Sequence, residues 1–140
     1  MTENDISFII PVYNRPQEIK ELLESFTKLS SKKDFEIVII EDGSIDDCQG
    51  VIKNFNPQLT LSYYKKDNTG PGDSRNYGMK KAKGSYFIIL DSDCILPKDY
   101  MQHVMDNLNN NYVDCFGGVD ASHESFSDYQ KAVSFSMTSF

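Results

Sequence analysis

The 140-residue chain has too few thiols and imidazoles for the usual metal and disulfide frameworks. It has three cysteines, Cys48, Cys94 and Cys115, in no C-x-x-C spacing. An odd number without C-x-x-C indicates neither a disulfide framework nor a zinc ribbon, and predicts reduced thiols in a cytoplasmic setting. The two histidines, His103 and His123, lie too far apart to form a metal set, and His103 reads as an ordinary helix residue. No apolar run is long enough to span a bilayer, and Met1-Thr2-Glu3-Asn4-Asp5 lacks the basic start and apolar stretch of a signal peptide. Cations are also scarce: 21 acids against 14 bases give a net charge of −7, which argues against nucleic acid or an anionic membrane as a bulk partner. The common phosphate loops are missing as well. No G-x-x-x-x-G-K-[ST] follows a strand, and no G-x-G-x-x-G follows the first one.

The chain does show a regular alternation of strand and helix. Ile6 to Val12 reads as a first strand, with Ile19, Leu22, Leu23, Phe26 and Leu29 forming one helical stripe behind Pro16. Phe35 to Ile40 is a second strand that breaks at Glu41-Asp42-Gly43-Ser44, and Cys48, Val51, Ile52 and Phe55 mark a second helix. Leu59 to Tyr64 reads as a third strand, followed by a Gly-rich loop and a helix from Asp73 to Ala82. Tyr86 to Leu90 is the fourth strand, and Met101, Val104, Met105 and Leu108 stripe the next helix. Tyr112 to Phe116 is expected to be a fifth strand, ending in Gly117-Gly118. Ser127 and Gln130 suggest a capping box for a helix running to Phe140. With no stop signal after that helix, residues 1–140 read as one domain, the N-terminal part of a longer one. Continuous apolar strands in repeated β-α-β units predict an α/β fold, a mostly parallel sheet with helices on both faces.

Such a sheet gathers its C-terminal strand ends on one edge, where open α/β folds bind ligands. Here those ends carry Pro11-Val12-Tyr13-Asn14-Arg15, Glu41-Asp42-Gly43-Ser44, Asp91-Ser92-Asp93 and Gly117-Gly118-Val119-Asp120. Two acids one residue apart repel unless a cation lies between them, and oxygen-only ligands favour Mg²⁺ or Mn²⁺ shared with a substrate phosphate. The ordinary alternative is a turn plus a helix cap, both favoured by Asp. Arg75, on the helix behind Gly70-Pro71-Gly72, has its own ordinary alternative as a surface salt bridge.

In this order, Pro11-Val12-Tyr13-Asn14-Arg15, Glu41-Asp42-Gly43-Ser44, Asn68-Thr69-Gly70 with Ser74-Arg75-Asn76-Tyr77-Gly78, and Asp91-Ser92-Asp93 resemble the family 2 nucleotide-sugar glycosyltransferases of the GT-A fold. The resemblance implies that Pro11, Val12, Tyr13 and Arg15 form the nucleotide-base loop. It implies an acid at Asp42 for the uracil edge, with Glu41 standing where an Asp is usual. Arg75 would lie near base and phosphates, Asp91 and Ser92 near ribose or sugar hydroxyls, and Asp93 would ligate Mn²⁺ or Mg²⁺. It further implies a UDP-sugar donor, a glycan or lipid-linked acceptor, and an inverting transfer whose carboxylate base lies beyond Phe140. A role in bacterial surface polysaccharide synthesis follows, with peripheral membrane association through regions outside this chain. Asp120 resembles an acceptor-side residue. Two other readings compete: a non-catalytic nucleotide-binding or receiver-like module, and an Asp-x-Asp phosphatase, whose motif belongs on a first strand rather than a fourth.

Overall fold

The computed structural model describes residues 1–118, 127–129 and 131–132. After a short 3-10 turn at Glu3–Asp5 come β1 (Ile6–Val12), α1 (Pro16–Thr27), β2 (Glu36–Asp42), α2 (Gln49–Phe55), β3 (Leu61–Lys66), α3 (Pro71–Lys81), β4 (Tyr86–Ile89) and α4 (Tyr100–Asn110). The strands pair in the order β3-β2-β1-β4, every neighbour parallel. Among the described residues no helix is long and apolar enough to cross a membrane.

The period-2 geometry of β1 divides the core between two faces. Phe8, Ile10 and Val12 pack with Leu22, Leu23 and Phe26 of α1, Ile52 of α2, and Met101, Val104 and Leu108 of α4. Phe8 sits edge-on to Phe26 and Phe35, at ring centroids 4.8 and 5.1 Å. Each such fully buried side chain contributes about 1.5–3 kcal/mol relative to exposure. Ile9, Val38 and Ile40 point the other way, under Tyr77 and Met79 of α3. Gly78 allows that helix to lie close: a Cβ there would come within 2.5 Å of Ile40 Cδ1 and 2.7 Å of Ile9 Cγ2. Helices therefore cover both faces, as the alternation predicts.

Three boundaries differ from the sequence reading. The second strand runs on through Glu41 and Asp42, so both acids belong to the ladder, with Val12 opposite Glu41 and Asp42 opposite Lys66. The third strand is displaced to Leu61–Lys66, which puts Lys66 at that edge. The expected fifth strand at Tyr112 to Phe116 does not form. Its residues stay exposed and make ring contacts instead, Tyr112 and Phe116 both 6.4 Å from Tyr86. Too few alternating apolar positions face the core there to offset the ordering of another ladder. Asp120 and its neighbours, the Gln130 half of the capping box, and the end of the helix running to Phe140 lie outside the described residues.

From β1 the sheet builds outward through β2 to β3, then returns to add β4 on the other side of β1. The carboxyl ends of β1 and β4 therefore flank a topological switch point, where open α/β sheets leave a crevice. The loops at Tyr13–Arg15 and at 91–93 open onto it.

Candidate functional site

Pro11 and Val12 are buried in the last turn of the β1 ladder, and Tyr13 emerges half exposed at its end. Asn14 follows in the left-handed region (φ 51°), a conformation Asn tolerates better than most residues. Its Oδ1 accepts from the amides of Ile45 (2.8 Å) and Asp46 (3.2 Å), while its own N–H donates to Ser44 Oγ at 2.7 Å. These bonds fasten the β1 loop to the β2 loop. Arg15 is exposed and pairs with Glu18 at 2.9 Å.

The two acids ending β2 face opposite sides of the sheet and do different things. Glu41 is buried and spends its oxygens on internal donors: Ser44 Oγ, the Cys48 amide (2.9 Å) and thiol (3.0 Å), and the Tyr63 hydroxyl (2.8 Å). Burial first, and then the Glu41 carboxylate, push the Cys48 and Tyr63 ionisations upward, so both stay protonated donors. Asp42 turns toward the start of α3. Its Oδ1 accepts from Lys66 Nζ at 2.6 Å and the Thr69 amide at 2.9 Å, and its Oδ2 from the Gly70 amide at 3.0 Å. Burial pulls the Asp42 carboxyl upward, but Lys66 and the two amides outweigh it and hold the group below the ordinary carboxylate range. The turn that follows β2 depends on Gly43, whose φ of +73° suits glycine. A Cβ there would sit 2.6 Å from the Asn68 backbone nitrogen.

Helix α3 joins this group to the acids of β4. Gly70 (φ +98°) sets its start and Pro71 its first turn. Arg75 then reaches Asp91, Nη2 to Oδ1 at 2.8 Å, while its Nε is buried with no hydrogen-bond partner among the described residues. The sequence alternative of a surface salt bridge for Arg75 thus matches its resting contact. Ser92 donates to Glu18 Oε2 at 3.0 Å, which ties the β4 loop to α1 and, through Glu18, to Arg15. Asp93 is exposed, and among the described residues its side chain makes no hydrogen bond or ion pair.

Among the described residues no group of three His, Cys, Asp or Glu side chains could hold a metal unaided. The donor chemistry still fits a hard cation: Mg²⁺ or Mn²⁺ takes one or two carboxylates and fills its remaining positions with water and substrate phosphate. Asp91 is already engaged by Arg75, so Asp93 is the carboxylate with both oxygens open.

Sequence reasoning located the edge but missed several residues that build it. Asn14 receives no role of its own in the sequence motif, although an Asn next to a strand end is a recognisable turn device. Lys66 and Tyr63 carry no motif, and their roles follow only from the β2–β3 register. Thr69 lies in a quoted motif, but its amide contact with Asp42 is set by the loop leading into α3.

A four-stranded parallel sheet of this order, with acids at its switch point, is the architecture of the GT-A nucleotide-sugar transferases. The family described as Glycosyl transferase family 2 matches residues 7–138, and the chain belongs to that family. An uncharacterized glycosyltransferase of Rickettsia felis is 40% identical over 100 residues, covering 71% of this chain and 16% of that protein. Poly(ribitol-phosphate) beta-N-acetylglucosaminyltransferase TarS of Staphylococcus aureus strain Mu50 is 33% identical over 99 residues, 69% of this chain and 17% of its own length. The crystal structure of S. aureus TarS 1-349 in complex with UDP-GlcNAc superposes with a TM-score of 0.74 at 27% identity, covering 83% of this chain and 37% of that one. The chain thus spans well under half of the relatives it matches.

Proposed function

We propose that this chain forms the donor-binding part of a metal-dependent, inverting glycosyltransferase. It would move a sugar from a UDP-sugar to a hydroxyl of a glycan or lipid-linked acceptor in surface polysaccharide synthesis. The observation that carries this reading is the convergence of Asp42, Arg75 and the Asp91–Asp93 loop around the carboxyl end of β1, in a family 2 chain. Similarity to TarS, whose crystal structure holds UDP-GlcNAc, supports the choice of a uridine donor.

In this reading each side chain has one task. Tyr13 offers an exposed ring against which the base rests. Asp42 accepts a hydrogen bond from the uracil imide. Glu41 stays behind the site as the fastener of its loop, since its oxygens are already taken by the protein. Arg75 can exchange its Asp91 contact for a phosphate oxygen, and its unpartnered Nε stands ready as a second donor for a bidentate grip. Asp91, released by that exchange, meets ribose or sugar hydroxyls together with Ser92. Asp93 would hold Mn²⁺ or Mg²⁺, which when bound supplies Lewis-acid charge beside the departing diphosphate. The acceptor oxygen forms its bond to the anomeric carbon on the face opposite the diphosphate. As the sugar–phosphate bond breaks, its electron pair leaves on the nucleotide, and the acceptor proton passes to a carboxylate outside the described residues.

Calorimetric titration of UDP with and without Mn²⁺ tests the reading. Saturable binding that requires Mn²⁺ is the expected result. Labelling by acetyl phosphate with no affinity for UDP would instead favour the receiver or phosphatase alternatives. Asp42→Ala should weaken UDP by about ten- to a hundredfold, the worth of one charge-assisted hydrogen bond of about 1.5–3 kcal/mol, while pyrophosphate affinity stays the same. Equal losses for both ligands would remove Asp42 from base recognition.

A further inference from the structure

Lys66 is the residue around the site that neither the motifs nor the proposed chemistry uses, yet its side chain is only 11% exposed. Burying an ammonium is costly unless each proton finds a partner. Here the partners are Asp42 Oδ1 (2.6 Å), the Asp67 carbonyl (3.0 Å) and Thr69 Oγ1, with Asp73 Oδ2 at 3.5 Å beyond them. Thr69 Oγ1 in turn donates to Asp73 at 2.6 Å. The ammonium is thus held by the end of β3 and the loop leading into α3, pressed against the acid that ends β2.

The consequence for Asp42 follows from counting acceptor sites. An ionised carboxylate has about four lone-pair positions, two on each oxygen. Lys66 and the Thr69 amide occupy Oδ1, and the Gly70 amide takes one position on Oδ2. One acceptor position remains, on Oδ2, and the carboxylate has no proton to give. A base edge that presents an imide N–H, as uracil and thymine do at N3, satisfies that position. Cytosine presents a bare N3 acceptor there, which would face a second acceptor. A site built around one hydrogen bond rejects the analogue lacking it far more strongly than an apolar pocket can.

We infer that Lys66 is a positioning residue that locks Asp42 as a single, acceptor-only contact and thereby sets the base preference for uridine- or thymidine-type donors over cytidine-type ones. The inference rests on the proposed contact between Asp42 and the base. Without the ammonium, Asp42 keeps only its two amide donors, and the carboxyl can rotate or take up a proton and donate to cytosine.

The test is calorimetric titration of UDP and CDP, each with Mn²⁺, against the wild-type protein and Lys66→Met and Lys66→Arg. The wild type should prefer UDP by at least about a hundredfold. Lys66→Met should narrow that ratio at least tenfold, and Lys66→Arg should restore most of it because the cation and donors return. Pyrophosphate affinity should not change in any variant, which separates base choice from general damage. If Lys66→Met fails to fold, Lys66→Gln, which keeps a neutral donor, should narrow the ratio severalfold. A wild type that binds UDP and CDP equally would overturn the Asp42 contact and this inference with it. A clear wild-type preference that Lys66→Met (or, in its place, Lys66→Gln) retains would overturn the role of Lys66 alone.

Discussion

Asp93→Ala is expected to reduce UDP affinity in the presence of Mn²⁺ by roughly a hundredfold or more, to the level seen without metal, which is a loss of about 2.7 kcal/mol or more. The fold should hardly notice. Asp93 is exposed and makes no side-chain contact that folding depends on, and substitutions of that kind stay within about 0.5 kcal/mol. A melting temperature within about 2 °C of wild type is therefore the matching expectation. Asp91 cannot stand in for it at rest, because Arg75 holds one of its oxygens at 2.8 Å. Titration curves for the variant that superimpose on the wild type, with and without Mn²⁺, would take the metal away from Asp93.

Helix α3 explains why the two acid groups act as one site. The residues leading into it cap Asp42 through the Thr69 and Gly70 amides, and Arg75 on its body crosses to Asp91. The helix lies over β1 and β2, seated by Gly78 against Ile9 and Ile40. Any movement of α3 against the sheet is therefore felt at both ends of the crevice. The Arg75–Asp91 pair is largely solvent-exposed on the acid's side, so it is weak and exchangeable. The Asp42–Lys66 pair is buried and carries two backbone donors, which favours a fixed geometry over added stability. We read the first as the part of the site that moves on donor binding and the second as the part that stays.

The elements legible in the sequence are those whose physics is local. β1 and β2 are runs of residues buried on both faces, and α1 and α4 show clear apolar stripes, so their existence followed from periodicity alone. Chain order then placed Tyr13, Asp42 and Asp91 at one edge, because parallel strands share their direction. What stayed hidden depends on register. Lys66 meets Asp42 only because residues 24 apart in sequence become partners across β2 and β3. Likewise, nothing in Glu41-Asp42 as letters separates the buried fastener from the acid facing α3; the pleat decides it. The Tyr112 to Phe116 segment failed for the opposite reason. Its β-forming residues satisfy propensity, but a strand also needs a partner ladder and a face to cover, and its rings met Tyr86 instead.

Glu41→Ala is expected to be the most destabilising single change at this edge, although its neighbour is the acid we assign to the ligand. The carboxylate is the shared acceptor for Ser44, for the Cys48 amide and thiol, and for Tyr63. Removing it strands the buried Cys48 N–H and the half-buried Tyr63 hydroxyl, at about 1–3 kcal/mol for each unsatisfied group, nearer the lower figure for Tyr63. A total near ~3 kcal/mol, or roughly a 10 °C fall in melting temperature, is the expected outcome. Glu41→Gln keeps one acceptor oxygen but places an amide donor among donors, so it should lose less than alanine and more than a surface substitution. Because Ser44 also receives the Asn14 amide, the loss should loosen the loop behind Tyr13, and UDP affinity should fall modestly even well below the transition. Thermal unfolding followed by circular dichroism decides the matter. Should Glu41→Ala melt with the wild type and lose UDP binding as steeply as Asp42→Ala, the two acids have exchanged parts: Glu41 would be the base contact and Asp42 the structural one.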